Sequence, residues 1–390
     1  MTDVVIAGIG QTPVGEHWEI SLRELAYHAI SQAIDDAQGL QPQSLIVANI
    51  FAPQLSNQAH LGALIADFSG FTGIEAFSVE SGEASGGAAL RSGYLMIASK
   101  LTDVVLVVGV EKITEKSTTE QEAIISTILD SDFEAIHGIT PTSQAALLTR
   151  RYLFEHSLPK TVFAGFPINA HANAAHNPNA MMPKSIHPDL YEKANLVCDP
   201  LNIFDIAPWA DGAAALILTR PELLPPEFPH RLVKISGSSF STDHLAIHDR
   251  HEPLFFRAAN HSANQAFLRA NIKKQQIDLF ELHDSYSIYS ALALEAIGFA
   301  PRGEGWKLST NDILPPIISK QGSLPISTFG GLKARGNPGG ATGIYQAVEA
   351  VLQLRQEAND NQINSAQIAL IQNISGAASS AASHILEAFD

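Results

Sequence analysis

Four residues have types and settings suited to chemistry: Glu83, His283, Asn337 and Gly376. Glu83 lies in "VESGEASGGAALRSGYLMIASKLTDVVLVVGVEKIT", at the apex of a small-residue turn between a strand and a helix that opens on Gly and Ala. Backbone N–H groups and the macrodipole favour an anion there by about 0.3–1 kcal/mol. The same setting lowers the pKa of a cysteine and makes it reactive. The plain alternative is that Glu83 only caps the helix. His283, in "ELHDSYS", follows the apolar run "IDLF" and precedes a helix, at the strand edge where open α/β sheets build sites. Asp284 is its neighbour, but successive side chains on a strand point to opposite faces. A satisfied structural histidine is the alternative.

Asn337 stands in "FGGLKARGNPGGATGIYQ", where a side-chain amide can donate to an oxyanion. The glycines around it, Gly330, Gly331, Gly336, Gly339 and Gly340, allow close backbone approach to a ligand. The run fits neither G-x-x-x-x-G-K-[ST] nor a strand-linked G-x-G-x-x-G, so phosphate cradling is poorly supported. Gly376, in "QNISGAASSAASHIL", follows a strand; its N–H either faces a site or belongs to a plain turn. The single cysteine, Cys198 in "LVCDPLNIFD", has no activating neighbour and reads as structural.

The elements that must position these residues alternate. "DVVIAGIGQT" (3–12), "LIVANIFA", "EAFSVES" and "DVVLVVGV" (103–110) read as strands, with helices at 21–37, in "AHLGALIADFSG" and at 84–100. Such alternation implies a largely parallel sheet with helices on its faces. From about 115 to 197 the rhythm stops, in a His-, Asn- and Pro-rich stretch that reads as an inserted loop domain. "AALILTR" (214–220) resumes it, and "ELLPPEFPHR" is a linker. The second half repeats the theme: strands in "LVKISGSSF", "IDLFELHDS" and "SAQIALIQNISG", with helices in "PLFFRAANHSANQAFLRAN", "YSIYSALALEAIG" and "GGATGIYQAVEAVLQLRQEA". An internal duplication follows, without visible repetition of the residues themselves.

The chain has 390 residues, 45% hydrophobic and 16% charged, enough for a sizeable core. Its formal net charge of −16 argues against a nucleic-acid binder, which needs a basic footprint. One cysteine excludes a disulfide framework and any multi-cysteine zinc site. No apolar run is long enough to span a bilayer, and the N-terminus enters directly on a strand. A cytoplasmic protein without a metal is the expectation.

Together these segments resemble the thiolase superfamily, in particular its archaeal and sterol-carrier-type members, over essentially the whole chain. "EASGGAALRSGYLMIASKLTDVVLVVGVEKIT" resembles the nucleophile helix and following strand, "HANAAHNPNA" the loop-domain His-Asn motif, and "DIAPWADGAAALIL" the strand closing the first half. "ELHDSYS" resembles the His-Asp-x-Phe motif, and "GGLKARGNPGGATGIYQ" the Gly-His-Pro loop and its helix. The resemblance implies a duplicated five-layer α/β/α/β/α fold, with an N-terminal half over 1–230, including a loop domain at about 115–200, and a C-terminal half over 231–390. It further implies a homodimer acting on acyl-coenzyme A thioesters. Gly330, Gly331 and His171 are candidate coenzyme A contacts; Arg150, Arg151 and Lys184 look no different from surface charges.

Two positions depart from the family. Its nucleophilic cysteine falls on Glu83, and the histidine that activates it falls on Asn337. His283 keeps its motif, and Gly376 keeps the backbone position of a second oxyanion hole. Thiolysis and condensation of this type run through an acyl-thioester on a thiolate; a carboxylate attacking a thioester would form an anhydride, uphill and prone to hydrolysis. Ordinary thiolase turnover is therefore not expected. Three readings stay open: an acyl-CoA enzyme in which Glu83 is a base or positioning group and His283 with Asn337 holds an enolate; a non-catalytic subunit partnering an active thiolase or an OB-fold, zinc-ribbon protein; or a scaffold without coenzyme A binding.

Overall fold

The computed structural model describes residues 3–309 and 324–389. In the first half, β1 (Val5–Gln11), α1 (Leu22–Asp36), β2 (Ser44–Ala48), α2 (Leu61–Phe68), β3 (Glu75–Val79), α3 (Ser85–Ala98) and β4 (Val104–Glu111) alternate as the hydrophobic pattern requires. A loop region follows, with α4 (Thr118–Ile125), α5 (Pro141–His156), α6 (Gly165–Ala174) and the short ribbon of β5 (Leu196–Cys198) and β6 (Leu201–Asn202). β7 (Gly212–Thr219) closes the half. The second half runs through β8 (Leu232–Thr242), α7 (Arg257–Ala270), β9 (Leu279–Glu281), α8 (Ser287–Ile297), α9 (Thr342–Arg355), β10 (Ile368–Ser375) and β11 (Ser380–Phe389).

The pairing repeats between halves. β2 pairs β3 and β4 in parallel, and β4 and β1 both run antiparallel to β7. In the second half β9 pairs β10 in parallel, and β10 and β8 both run antiparallel to β11. The two sheets join through the Val5–Lys234 pair into one order, β3-β2-β4-β7-β1-β8-β11-β10-β9. The sheet is mixed and not largely parallel as the alternation implied, because β7, β1, β8 and β11 pair antiparallel along its middle.

Both α3 and α9 touch strands of both halves, whereas α1 packs on one sheet and α7 on the other. Helices therefore form the two outer layers and a shared middle one, the five-layer arrangement. The middle layer is buried on every side: Leu90 and Ile97 of α3 and Ile344, Val348 and Val351 of α9 pack with residues of both sheets, while Gln346, Glu349 and Gln353 of α9 are buried polar exceptions. Full burial of β4 and β7 explains why they read as continuous apolar runs, without alternation.

The strand read in "IDLFELHDS" stops at Glu281, so His283 sits just past its end. "LIVANIFA" is strand only to Ala48; a helical turn, Ala52–Leu55, follows. β11 was not among the expected strands. Its "SAASHILEAF" opens on small residues of low β propensity, and ladders from β10 and β8 on both sides enforce it.

α3 and α9 meet backbone to backbone. A Cβ on Gly343 would stand 2.5 Å from the Gly87 nitrogen and 2.4 Å from Asn373 Oδ1. Gly343→Ala is therefore expected to destabilise the protein by about 1–3 kcal/mol through overpacking, read as a lower urea midpoint. An unchanged midpoint would mean the helices are free to separate.

Candidate active site

The turn that carries Glu83 is built by its neighbours. Ser85 Oγ donates to the Gly82 carbonyl at 2.6 Å and accepts the Ser81 N–H at 2.8 Å. Gly82 adopts φ +55°, where a Cβ would fall 2.0 Å from Ser375 Oγ. Ala84 is the N-cap of α3 and no side chain caps the helix. Glu83 therefore does not act as a cap. Its side chain is 2% exposed and turns inward to the Gly-rich loop.

There, Asn337 Nδ2 donates to Glu83 Oε1 at 3.0 Å. The amide orientation is fixed from the other end: Asn337 Oδ1 accepts the Gly339 N–H at 3.2 Å and the Thr342 hydroxyl at 3.0 Å. The Asn337 backbone is pinned as well, donating to the Pro208 carbonyl and accepting from Ala210 N–H. His283 Nε2 approaches the same carboxylate oxygen at 3.5 Å but makes no full hydrogen bond. A buried donor without a full partner is costly, and such groups in native structures invite a functional explanation. Asn373 Nδ2 lies 3.1 Å from His283 Nδ1, and Asn373 Oδ1 accepts the Gly87 N–H at 3.0 Å.

Three of the four candidates, Glu83, His283 and Asn337, thus converge from α3, the end of β9 and the Gly-rich loop. Gly376 sits at φ +50° in the turn between β10 and β11. The contact to Glu83 from this turn comes from the preceding residue, whose Ser375 Oγ accepts the Glu83 N–H at 3.2 Å. Asp284, past the strand end like His283, turns to the Gly-rich loop instead of to the histidine ring. Its carboxylate accepts the Leu332 N–H at 2.7 Å and so holds the Gly-rich loop. Gly330 and Gly331 are buried against Ala174 and Asp284. His171 is buried in α6, with Nδ1 3.0 Å from the Lys184 carbonyl, and burial pushes its pKa down. Cys198 lies in the short ribbon. Sequence reading missed Asn373 and Ser375; the available signal was the polar pair Gln372-Asn373 following the apolar run of a buried strand.

The loop behind the site is charged and buried. Arg335 Nη1 donates to Glu349 Oε2 at 2.9 Å, and its guanidinium lies 5.0 Å from the Tyr345 ring centroid. Lys333 Nζ donates to the Asp205 carbonyl at 2.8 Å. Glu111 accepts from Asn49 Nδ2 and from the N–H groups of Ile50, Phe51 and Gly340, tying β4 to the loop. Burial pushes Glu111 and Glu281 up to about 7, and Glu349 up to about 8 despite the attraction of Arg335.

Each of these carboxyls holds its proton more tightly folded than unfolded. Its stabilising contribution is complete below the ordinary carboxylate range and is lost as pH rises through the folded value. Burial pushes Lys333 down to about 8; its contribution is present at pH above its ordinary value and lost as pH falls through about 8. Burial pushes His384 down to about 3, which raises stability with pH up to its ordinary value, but three carboxyls outweigh it, so the melting temperature should fall between about pH 5 and 8. A rise over the same window would contradict the burial of these three groups.

The fold and this site define a thiolase-type protein. The family "Thiolase, N-terminal domain" matches residues 4–198 and "Thiolase C-terminal domain-like" matches 239–388. The chain belongs to the thiolase family. It is 38% identical over 387 residues to an "Acetyl-CoA acetyltransferase" of Methanothermobacter thermautotrophicus, covering 99% of each chain. It is 34% identical to an "Acetyl-CoA acetyltransferase" of Methanocaldococcus jannaschii, again over 99% of each. Among solved structures, the "Ltp2-ChsH2(DUF35) aldolase" superposes with a TM-score of 0.83 at 22% identity, covering 99% of this chain and 98% of that one. Among the described residues no helix is long and apolar enough to cross a membrane.

Proposed function

We propose that this chain is an acyl-coenzyme A enzyme that works through a thioester enolate and forms no acyl-enzyme. One observation carries the reading: Asn337 Nδ2 and His283 Nε2 are directed at a single oxygen, at 3.0 and 3.5 Å. Two buried N–H donors on one point are what a developing enolate oxygen needs. Glu83 Oε1 occupies that point and marks where the thioester oxygen would bind. When substrate takes its place, the released carboxylate lies beside the thioester α-carbon, within reach of its proton. Glu83 removes that proton and the C–H electron pair becomes the enolate; the enolate carbon is then reprotonated, or attacks an aldehyde or ketone carbon whose C=O π pair becomes an alkoxide that takes the proton from Glu83. Run backwards, the addition breaks a carbon–carbon bond. The Gly376 N–H is assigned to the carbonyl oxygen of a second substrate, and Gly330 and Gly331 of the Gly-rich loop with His171 of α6 to the walls that approach coenzyme A.

The kinship with acetyl-CoA acetyltransferases supports the thioester substrate, and the fold is one that a solved structure named an aldolase also has. The proposal includes a homodimer in the cytoplasm. A second reading is favoured by the occupied donors and by the 2% exposure of Glu83. In it Glu83 is a permanent plug, and the chain is a non-catalytic subunit of an active thiolase or of an OB-fold, zinc-ribbon protein. The solved aldolase, whose name joins it to a DUF35 component, supports looking for such a partner.

A product survey by mass spectrometry separates the two. Purified protein is incubated with acetyl-, acetoacetyl- and malonyl-CoA, singly and in pairs, and with added aldehydes, beside Glu83→Gln. A product absent from the variant supports the enzyme; no product from either protein, with a partner captured in stoichiometric complex, supports the subunit.

A further inference from the structure

We infer that Asn373 is a positioning residue that makes His283 a hydrogen-bond donor at Nε2 and denies it the role of general base. The Gly87 N–H can only donate, so the atom of Asn373 facing it at 3.0 Å is the carbonyl oxygen. The amide NH2 therefore faces His283 Nδ1 at 3.1 Å. An NH2 group can only donate, so Nδ1 must accept and the ring hydrogen lies on Nε2. That hydrogen points toward the oxygen held by Asn337. Asn373, Gly87 and His283 are all buried, so water does not compete for these bonds. The register is protected by Gly343, where any Cβ would stand 2.4 Å from Asn373 Oδ1.

An aspartate in this place would do the opposite. A carboxylate facing Nδ1 accepts, puts a hydrogen on Nδ1 and makes Nε2 a base, as the aspartate of a catalytic triad does for its histidine. One atom, the Asn373 nitrogen, thus separates an enolate-holding histidine from a base histidine. With Nε2 committed to donation, Glu83 is left as the base of the converging trio. This rests on the reading proposed above for the role of the donor, but its test does not require turnover.

The test is nitrogen-15 NMR on protein labelled at the histidine rings, with His283 identified as the resonance pair lost in His283→Gln and shifted in Glu83→Gln. In the unaltered protein, Nδ1 should fall in the range of a bare imidazole nitrogen and Nε2 in that of a protonated one. In Asn373→Asp, which keeps the acceptor for Gly87, Nδ1 should move to the protonated range. A hydrogen on Nδ1 in the unaltered protein overturns the inference even if Asn373→Asp does not fold. So does an Nδ1 that stays bare in a folded Asn373→Asp. A bare Nδ1 together with a blank product survey would keep the positioning role and discard the enzyme reading.

Discussion

Glu83→Gln should fold and assemble like the unaltered protein while turnover of the acyl-CoA substrate falls by about 10²–10⁴-fold. The variant has the same shape, and its amide oxygen can still accept the Asn337 N–H that now reaches Glu83 Oε1 at 3.0 Å. Only basicity is lost. If Glu83 removes the α-proton, no other group of the trio takes over, because Asn337 donates through Nδ2 and has no proton-accepting nitrogen. The loss should appear in kcat, with substrate binding little changed, since the donors that receive the thioester oxygen remain. A variant as active as the parent would remove Glu83 from the chemistry. An inactive pair that assembles identically would leave Glu83 as a plug.

The largest expected effect on stability is at Arg335. Arg335→Ala should cost about 3–5 kcal/mol, because it leaves the Glu349 carboxyl buried without its partner. Arg335 is 0% and Glu349 1% exposed, and their 2.9 Å pair sits beneath the Gly-rich loop that presents Asn337. Water cannot replace the guanidinium there, as it would at the surface. The loss should be larger at high pH than at low. Burial has already pushed Glu349 up to about 8, so below that value it is largely protonated and needs the cation less. Arg335→Ala/Glu349→Leu should recover much of the loss, since two apolar groups leave no stranded charge. Urea denaturation at about pH 6 and about pH 9 reads both effects. Equal small losses at both would mean that the pair contributes little.

Sequence alone determined the succession of strands and helices, but not the strand directions, which are mixed and not largely parallel. Continuous apolar runs at β4 and β7 and the alternation of strand and helix in both halves are local signals whose meaning survives in any context. It also placed Glu83 at the start of a central helix, His283 at a strand end and Asn337 in a Gly-rich loop. Local signals did not reveal β11, whose small residues become a strand only because β10 and β8 flank it. Nor did they say which way Glu83 points. Capping and facing inward look alike in sequence, and the choice was made by Asn337, 254 residues away along the chain. The orienting partner of His283 is not its neighbour Asp284, which the Leu332 N–H of the Gly-rich loop engages, but Asn373, 90 residues further on. Backbone pattern is set by nearest neighbours and burial, so it can be read one stretch at a time. Hydrogen-bond direction at a buried site is set by whichever donors and acceptors the fold brings within about 3 Å, and that is decided only when the chain has closed on itself.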